Sequence, residues 1–245
     1  MKLKGICLSV YAVIFLSLIM LTNGLCTMLE GSAYEASAKL AQYDPTDMSL
    51  YYAMGEYYPP DTIDALNIDW KGGRVEIIAY DGDSYFVEEG ATRQLRENER
   101  LSHSLSGNEF SIFFTESEET VIDDAYKKVE IRVPVVIANN LKKININTNG
   151  EVVLKNIFAD EISITSKTGN IICENVYSPK GTFTNGSGDI NIKVASGVSY
   201  RLDYNSVKGK LNTYLDAKKS YVVGNGEYIY KTKTNQGNVN VSVIN

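Results

Sequence analysis

The amino-acid sequence reads as an all-β, solenoid-like stack of short strand repeats behind an apolar N-terminal helix, and three features lead to that reading. Five glycines, Gly150, Gly169, Gly188, Gly209 and Gly237, each open the same phrase, a polar residue followed by alternating apolar and polar positions. The first three stand 19 residues apart and the next intervals are 21 and 28, so one supersecondary unit recurs with a late insertion. A segment without charge, Gly5 to Leu29, precedes the rest.

The N-terminal element comes first in the chain. Lys2 and Lys4 are followed by 25 uncharged residues, 5–29, which as a helix would span about 37 Å, more than a hydrocarbon core of about 30 Å. The lysine bias places residues 1–4 in the cytoplasm and everything after the anchor outside the cell membrane. The segment is expected to be retained as a single-pass anchor; the alternative is secretion after cleavage of a signal, with Ala36-Ser37-Ala38 as the candidate site. Leu25 stands where a small residue would precede a lipid-modified Cys26, so Cys7 and Cys26 read as ordinary small residues of the helix.

Residues 30–61 carry Tyr34, Tyr43, Tyr51, Tyr52, Tyr57 and Tyr58 among small and polar residues and end at Pro59-Pro60, a stalk or linker in composition. The β-repeat domain is expected over 62–245. Alternation marks strands at Ile63–Trp70, Val75–Tyr80 and Tyr85–Glu88, with Gly72-Gly73 and Asp81-Gly82-Asp83 as turns. Gly73 opens the repeat phrase once more, with Val75 and Ile77 two and four residues on. Residues 91–100 form a charged excursion with one turn of helix. Strand character returns at Leu101–Leu105, Phe110–Thr115 and Val129–Val133, where Pro134 limits pairing, and again at Ile144–Thr148.

From Gly150 onward the register is explicit. Two residues after each glycine come Val152, Ile171, Ile190, Leu211 and Val239, the expected core ladder. Four after come Leu154, Cys173, Ile192, Thr213 and Val241; six after come Asn156, Asn175, Val194, Leu215 and Val243. Each glycine is expected at a tight turn with freedom for positive φ, and successive copies are expected to stack and bury one another's apolar faces. Lys218, Lys219 and Gly224-Asn225-Gly226 mark a hairpin or loop added to the last copy.

Composition excludes several functions. The formal charge is −6, and the only residues charged before the apolar segment are Lys2 and Lys4, so the exported body is more acidic still and disfavours nucleic acid. Cys173 is the one cysteine beyond residue 29; aligned with apolar Leu154 and Ile192, it reads as a buried inert thiol. His103 is the only histidine and shares the face of Leu101 and Leu105, a structural and partly buried position. No multi-histidine metal site or nucleophile elbow exists, and Gly186-Ser-Gly188 leads into a strand, where a phosphate loop needs a helix. Glu116, Glu118, Glu119, Asp123 and Asp124 read as a solvated loop without a calcium-loop spacing. Asp189 has Glu151, Asn170, Lys210 and Asn238 as equivalents, a scatter that suits a solvated turn more than a catalytic carboxylate pair. No catalytic, cofactor or metal residue is expected.

The phrases Ile144-Asn-Ile-Asn-Thr-Asn-Gly-Glu-Val, Ile162-Ser-Ile-Thr-Ser-Lys-Thr-Gly-Asn-Ile and Phe183-Thr-Asn-Gly-Ser-Gly-Asp-Ile, behind Asn67-Ile-Asp-Trp-Lys-Gly-Gly-Arg-Val, resemble the bacterial β-strand-repeat domain called Toastrack, whose members are also described as candidate adhesins. The resemblance covers 63–245 and departs from the strict phrase at Ser206-Val-Lys-Gly209 and Asn235-Gln-Gly237. It implies a membrane-tethered extracytoplasmic protein, of a kind encoded with envelope-stress or regulatory systems, and it transfers no catalytic residue. Two roles follow as expectations: a sensing or scaffolding domain with a protein partner in the envelope, or an adhesin-like binder of wall polymer, glycan or surface protein through Tyr200, Tyr204, Tyr214, Tyr228 and Tyr230. A carbohydrate-active enzyme is the third alternative.

Overall fold

The computed structural model describes residues 51–52, 56–58, 63–115, 127–214 and 220–244. The expected anchor, most of the tyrosine-rich segment, the acidic run from Glu116 to Asp124, Leu215, Lys218 and Lys219 lie outside the described residues. Among the described residues no helix is long and apolar enough to cross a membrane.

The chain opens with β1 (Tyr51–Tyr52) and β2 (Glu56–Tyr58), then β3 (Ala65–Trp70), β4 (Arg74–Tyr80) and β5 (Tyr85–Ala91). A 3-10 turn at Glu97–Glu99 leads to β6 (Ser102–Ser106), β7 (Glu109–Phe113) and β8 (Lys127–Pro134). Pro134 ends β8 and precedes a single helical turn, α1 (Val135–Ala138). Then follow β9 (Leu141–Thr148), β10 (Glu151–Thr168), β11 (Ile171–Tyr177), β12 (Lys180–Ser187) and β13 (Ile190–Ala195). The last are β14 (Tyr200–Ser206), β15 (Leu211–Thr213), β16 (Ser220–Val223), β17 (Tyr228–Gln236) and β18 (Val239–Ile244).

These strands make two largely parallel ladders. In sheet A the order is β5, β8, β4, the first part of β10, β11, β13, β18, β15. Sheet B runs β6, β7, β3, β9, the second part of β10, β12, β17, β14, β16. A rung is one strand of each sheet, such as β12 with β13. Inward residues of both sheets, among them Val152, Ile171 and Ile190 of A and Ile146, Ile164 and Phe183 of B, form one apolar core. Alternation at period 2 dictates this: one side of each strand is apolar and meets its counterpart from the other sheet.

Spatial order departs from chain order at both ends. The rung of β3 and β4, first of the full rungs in sequence, sits between the rung of β7 and β8 and that of β9 and β10. The last in sequence, β17 and β18, sits between β12 with β13 and β14 with β15. The expectation that neighbours in sequence stack in order is therefore corrected for Leu211, which pairs with Val239 and not with Ile190. Intercalation gives the two strands of the C-terminal rung a partner on both edges. Antiparallel strands close the ends: β16 on β14, β6 on β7, and β5 on β8, with β1 and β2 added to β5 from the tyrosine-rich segment. The inserted residues before Gly237 thus supply β16 and the Gly224-Asn225-Gly226 turn.

A second correction concerns Asn156 and Asn175. They adopt left-handed backbone, φ 56° and 55°, and leave the ladder between the pairs Lys155↔Glu174 and Ile157↔Val176. Asparagine tolerates this conformation better than most residues, and Asn175 Nδ2 donates to Asn156 Oδ1 at 2.9 Å. The kink shifts the inward phase by one residue, so Ile157 and Val176 are buried and β10 passes from sheet A to sheet B without a loop.

Candidate functional site

The predicted turn glycines form one column down a corner of the stack, and the column is held by polar side chains from sheet B. A Cβ at Gly150 would lie 1.7 Å from Gly73 O, one at Gly188 2.2 Å from Gly169 O, one at Gly237 1.9 Å from Gly188 O, and one at Gly209 1.5 Å from Gly237 O. Positive φ is confined to Gly169 (84°) and Gly188 (123°) among the five. At Gly150, Gly209 and Gly237 the reason for glycine is therefore close backbone approach, which corrects the expected positive φ there. Ser166 Oγ donates to Gly150 O at 2.7 Å, Asn185 Nδ2 to Gly169 O at 2.8 Å and Ser206 Oγ to Gly237 O at 3.3 Å. These residues are in register through Thr148, Ser166, Asn185, Thr234 and Ser206, so a buried polar ladder satisfies carbonyls that the tight corner leaves outside the strands.

The polar position after each glycine is consumed in the same way. Asn170 Oδ1 accepts from Asp189 N at 2.9 Å, Asp189 Oδ1 from Asn238 N at 2.7 Å, and Asn238 Oδ1 from Lys210 N at 3.0 Å. Asp189 Oδ2 also accepts from Asn240 Nδ2 at 3.3 Å. The carboxylate is a rung-to-rung tie.

The core ladder lies as follows. Ile171 pairs with Val152 and Ile190, and Val239 with Ile190 and Leu211; all but Leu211, at the end of sheet A, are fully buried. Cys173 lies between Leu154 and Ile192, and burial pushes its thiol up to about 12, which leaves it protonated and unreactive. His103 is exposed, not partly buried: β6 is an edge strand, and Leu105 is 51% exposed on it. Its ring contacts Phe110 at 5.7 Å.

Among the expected contact tyrosines, Tyr200 and Tyr230 are core residues at 0% and 1% exposure, and their rings meet edge to face at 5.8 Å. Tyr204 and Tyr228 are half-buried, and Tyr204 donates to Gly209 O at 2.9 Å. Tyr214 is exposed, its hydroxyl 2.9 Å from that of Tyr200. High strand propensity and ring size account for the burial.

Sequence reasoning missed the one fully buried lysine among the described residues. Lys127, at 0% exposure, stands 2.6 Å from Glu89 Oε1, donates to Glu99 O at 2.7 Å and to Phe114 O, and lies over the rings of Trp70 and Phe114. Burial pulls its pKa down and Glu89 opposes that. Three acceptors match the three protons of an ammonium, so Lys127 closes the end of the stack as a satisfied cation. Nearby Glu99 accepts from both Arg93 guanidinium nitrogens at 2.8 and 2.9 Å and from Arg96 N at 2.8 Å; the Arg93 hydrogen bonds hold its carboxyl down at about 2. Lys127 stands three residues beyond the acidic run and starts an alternating strand on its apolar face, a signal visible in sequence only as an odd lysine in phase with Val129 and Ile131.

A shallow hollow of about 310 Å3 crosses β10, β12 and β17, lined by Glu161, Ser163, Lys180, Thr182, Ile229 and Lys231. Another, of about 410 Å3, borders the asparagine kink and is lined by Lys155, Glu174, Ala195 and Ile244. Among the described residues no group of histidine, cysteine or carboxylate side chains is arranged to hold a metal ion.

Comparison with known proteins agrees with this architecture. The family model described as Toastrack DUF4097 matches residues 63–243, whereas no curated protein matches the chain. A candidate cell adhesion protein from Clostridium sporogenes shares the fold with a TM-score of 0.61 at 11% identity, over 80% of this chain and 100% of that one. A candidate adhesin from Bacteroides fragilis gives 0.32 at 11% identity over 81% and 98% of the two chains. A candidate lipid binding protein from Parabacteroides distasonis gives 0.25 at 14% over 77% and 96%. By its repeat register, its stack of strands and the family model that spans most of its length, this chain belongs to the Toastrack DUF4097 family.

Proposed function

We propose that this chain is a non-catalytic, membrane-anchored protein whose stack of strands works outside the cell membrane as a sensing or scaffolding component of envelope-stress or regulatory signalling. One observation carries the non-catalytic part: the polar side chains most suggestive of chemistry are bonded into the scaffold. Asp189 ties one rung to the next, Lys127 and Glu99 close one end, and Ser166 and Asn185 hold the glycine column. The flat outer faces are then the surfaces that meet a partner. The uncharged segment 5–29 behind Lys2 and Lys4 supports the anchor.

An adhesin-like reading, direct binding of wall polymer, glycan or surface protein, is favoured by the fold shared with the clostridial cell adhesion candidate. In-cell crosslinking of the tagged full-length chain, with and without a wall-targeting antibiotic, separates the two. Stress-dependent capture of a membrane kinase or regulator supports signalling. Capture of wall polymer or surface protein alone, irrespective of stress, supports the adhesin-like role and contradicts the first.

A further inference from the structure

The two outer faces of the stack treat their cations differently. On sheet A the strand cations are neutralised: Arg74 and Lys128 by Glu76, Arg132 by Glu130, Lys155 by Glu76, and Lys193 by Glu174. On sheet B, Lys142 and Arg201 pair with Asp160 and Asp203, but Lys180, Lys231 and Lys233 have no carboxylate at ion-pair distance among the described residues. All three are exposed. The hydroxyls beside them, Thr182 and Thr184 of β12 and Ser163 of β10, likewise have no hydrogen-bond partner among the described residues.

Register turns these groups into a grid. Ser163, Thr182 and Lys231 form one outward row across β10, β12 and β17, and Thr165, Thr184 and Lys233 form the next. Rows cross strands spaced about 4.8 Å apart, and successive outward residues along a strand are about 6.6 Å apart. The hollow over the first row is bordered by Lys180, Lys231 and one carboxylate, Glu161, which stands opposite Lys180 in register beyond ion-pair distance. In each row two hydroxyls stand beside one ammonium group, with Lys180 next to the first row, and no aromatic ring stands in these outward rows for a base to stack on.

From this grid we infer that the outer face of sheet B at β10, β12 and β17 binds a linear anionic polyol polymer, its phosphodiester or carboxylate groups on the lysines and its hydroxyls on the serine and threonine row. The inference rests on the adhesin-like reading and names its ligand class. The acidic body as a whole repels dense polyanions, so the site takes a chain of spaced charges through local complementarity that salt screens.

The test uses the purified full chain and immobilised poly(glycerol phosphate), polygalacturonate and neutral dextran. The wild type is expected to retain at least one anionic polymer and not dextran, more weakly as salt rises; which polymer is retained distinguishes phosphodiester from carboxylate. Lys180→Gln/Lys231→Gln/Lys233→Gln should weaken binding by about tenfold or more at unchanged Tm, while Lys155→Gln/Lys193→Gln on sheet A should leave it intact. Retention of neither anionic polymer, equal retention of dextran, or an undiminished triple variant overturns the inference. Pull-down on isolated cell walls separates the two levels: capture of wild type and triple variant alike overturns this site but keeps the adhesin-like reading, whereas failure to capture the wild type sinks that reading itself.

Discussion

Single residues in this fold are fixed by what lies one rung above and below. Ile171 and Ile190 are fully buried and paired with each other and with Val152 and Val239. An aspartate at either place puts a carboxylate in an apolar ladder, and the domain should lose more than about 4 kcal/mol, enough to unfold it in thermal melts. Asn170→Asp keeps the acceptor for Asp189 N and places a carboxylate in register between Glu151 and Asp189 near the surface, so the change should stay within about 1 kcal/mol. Equal stability of these variants would refute the register. The glycine column makes a second contrast: Gly150→Ala brings a Cβ to 1.7 Å from Gly73 O, whereas a Cβ at Gly72 meets nothing within 4 Å. The first should cost about 3 kcal/mol or more, and the second should be neutral or gain about 0.5 kcal/mol by stiffening the unfolded chain. The ladder was legible because apolar side chains recur at a fixed offset from each glycine. The reason for glycine was not, since positive φ and close approach ask for the same residue.

At the scale of elements, sequence read the strands well where burial is one-sided. The alternation of Ala65–Trp70 and Arg74–Tyr80 and the phrases after Gly150 all became strands. It placed β6 but misread the burial of His103, which is exposed with Leu105 although Leu101 beside the strand packs against the core, because periodicity reports a strand's two sides and not which of them is covered. It also missed the kink at Asn156, where one left-handed residue reverses the phase. The 3-10 turn was expected as a charged excursion, but its Arg93 to Glu99 pair gives that element a pH dependence. The carboxyl of Glu99 falls from an ordinary 4.5 to about 2 in the fold, so its stabilisation is complete above the unfolded value and is lost as pH drops from about 4.5 toward 2. Chemical denaturation of wild type and Arg93→Gln across pH 2 to 7 should show a stability gap that is widest above pH 5 and shrinks in acid. A gap independent of pH would remove Arg93 as its cause.

For the molecule from β1 to β18, the rungs are repeats but their order is not serial. Period and register establish that copies stack, and they are silent on which copy lies against which, because every inward row offers a similar apolar face to every other. Intercalation of β17 and β18 leaves the last-made rung gripped on both sides, and antiparallel strands cover three of the four sheet ends, β15 ending sheet A without one among the described residues. A rigid scaffold of this kind presents flat faces of defined spacing, which is the property on which the proposed binding role depends. Disulfide trapping of outward asparagines tests the arrangement most directly, in the full chain with Cys7, Cys26 and Cys173 replaced. Asn191 and Asn240 are neighbours, with Asn240 Nδ2 at 2.7 Å from Asn191 Oδ1, while Asn212 pairs with Asn240 on its far side. Adjacent strands about 4.8 Å apart accept a disulfide and strands twice as far apart do not. The Asn191→Cys/Asn240→Cys variant should therefore oxidise readily and Asn191→Cys/Asn212→Cys should stay reduced; the reverse result would mean that the repeats stack in sequence order and would contradict the interleaved fold.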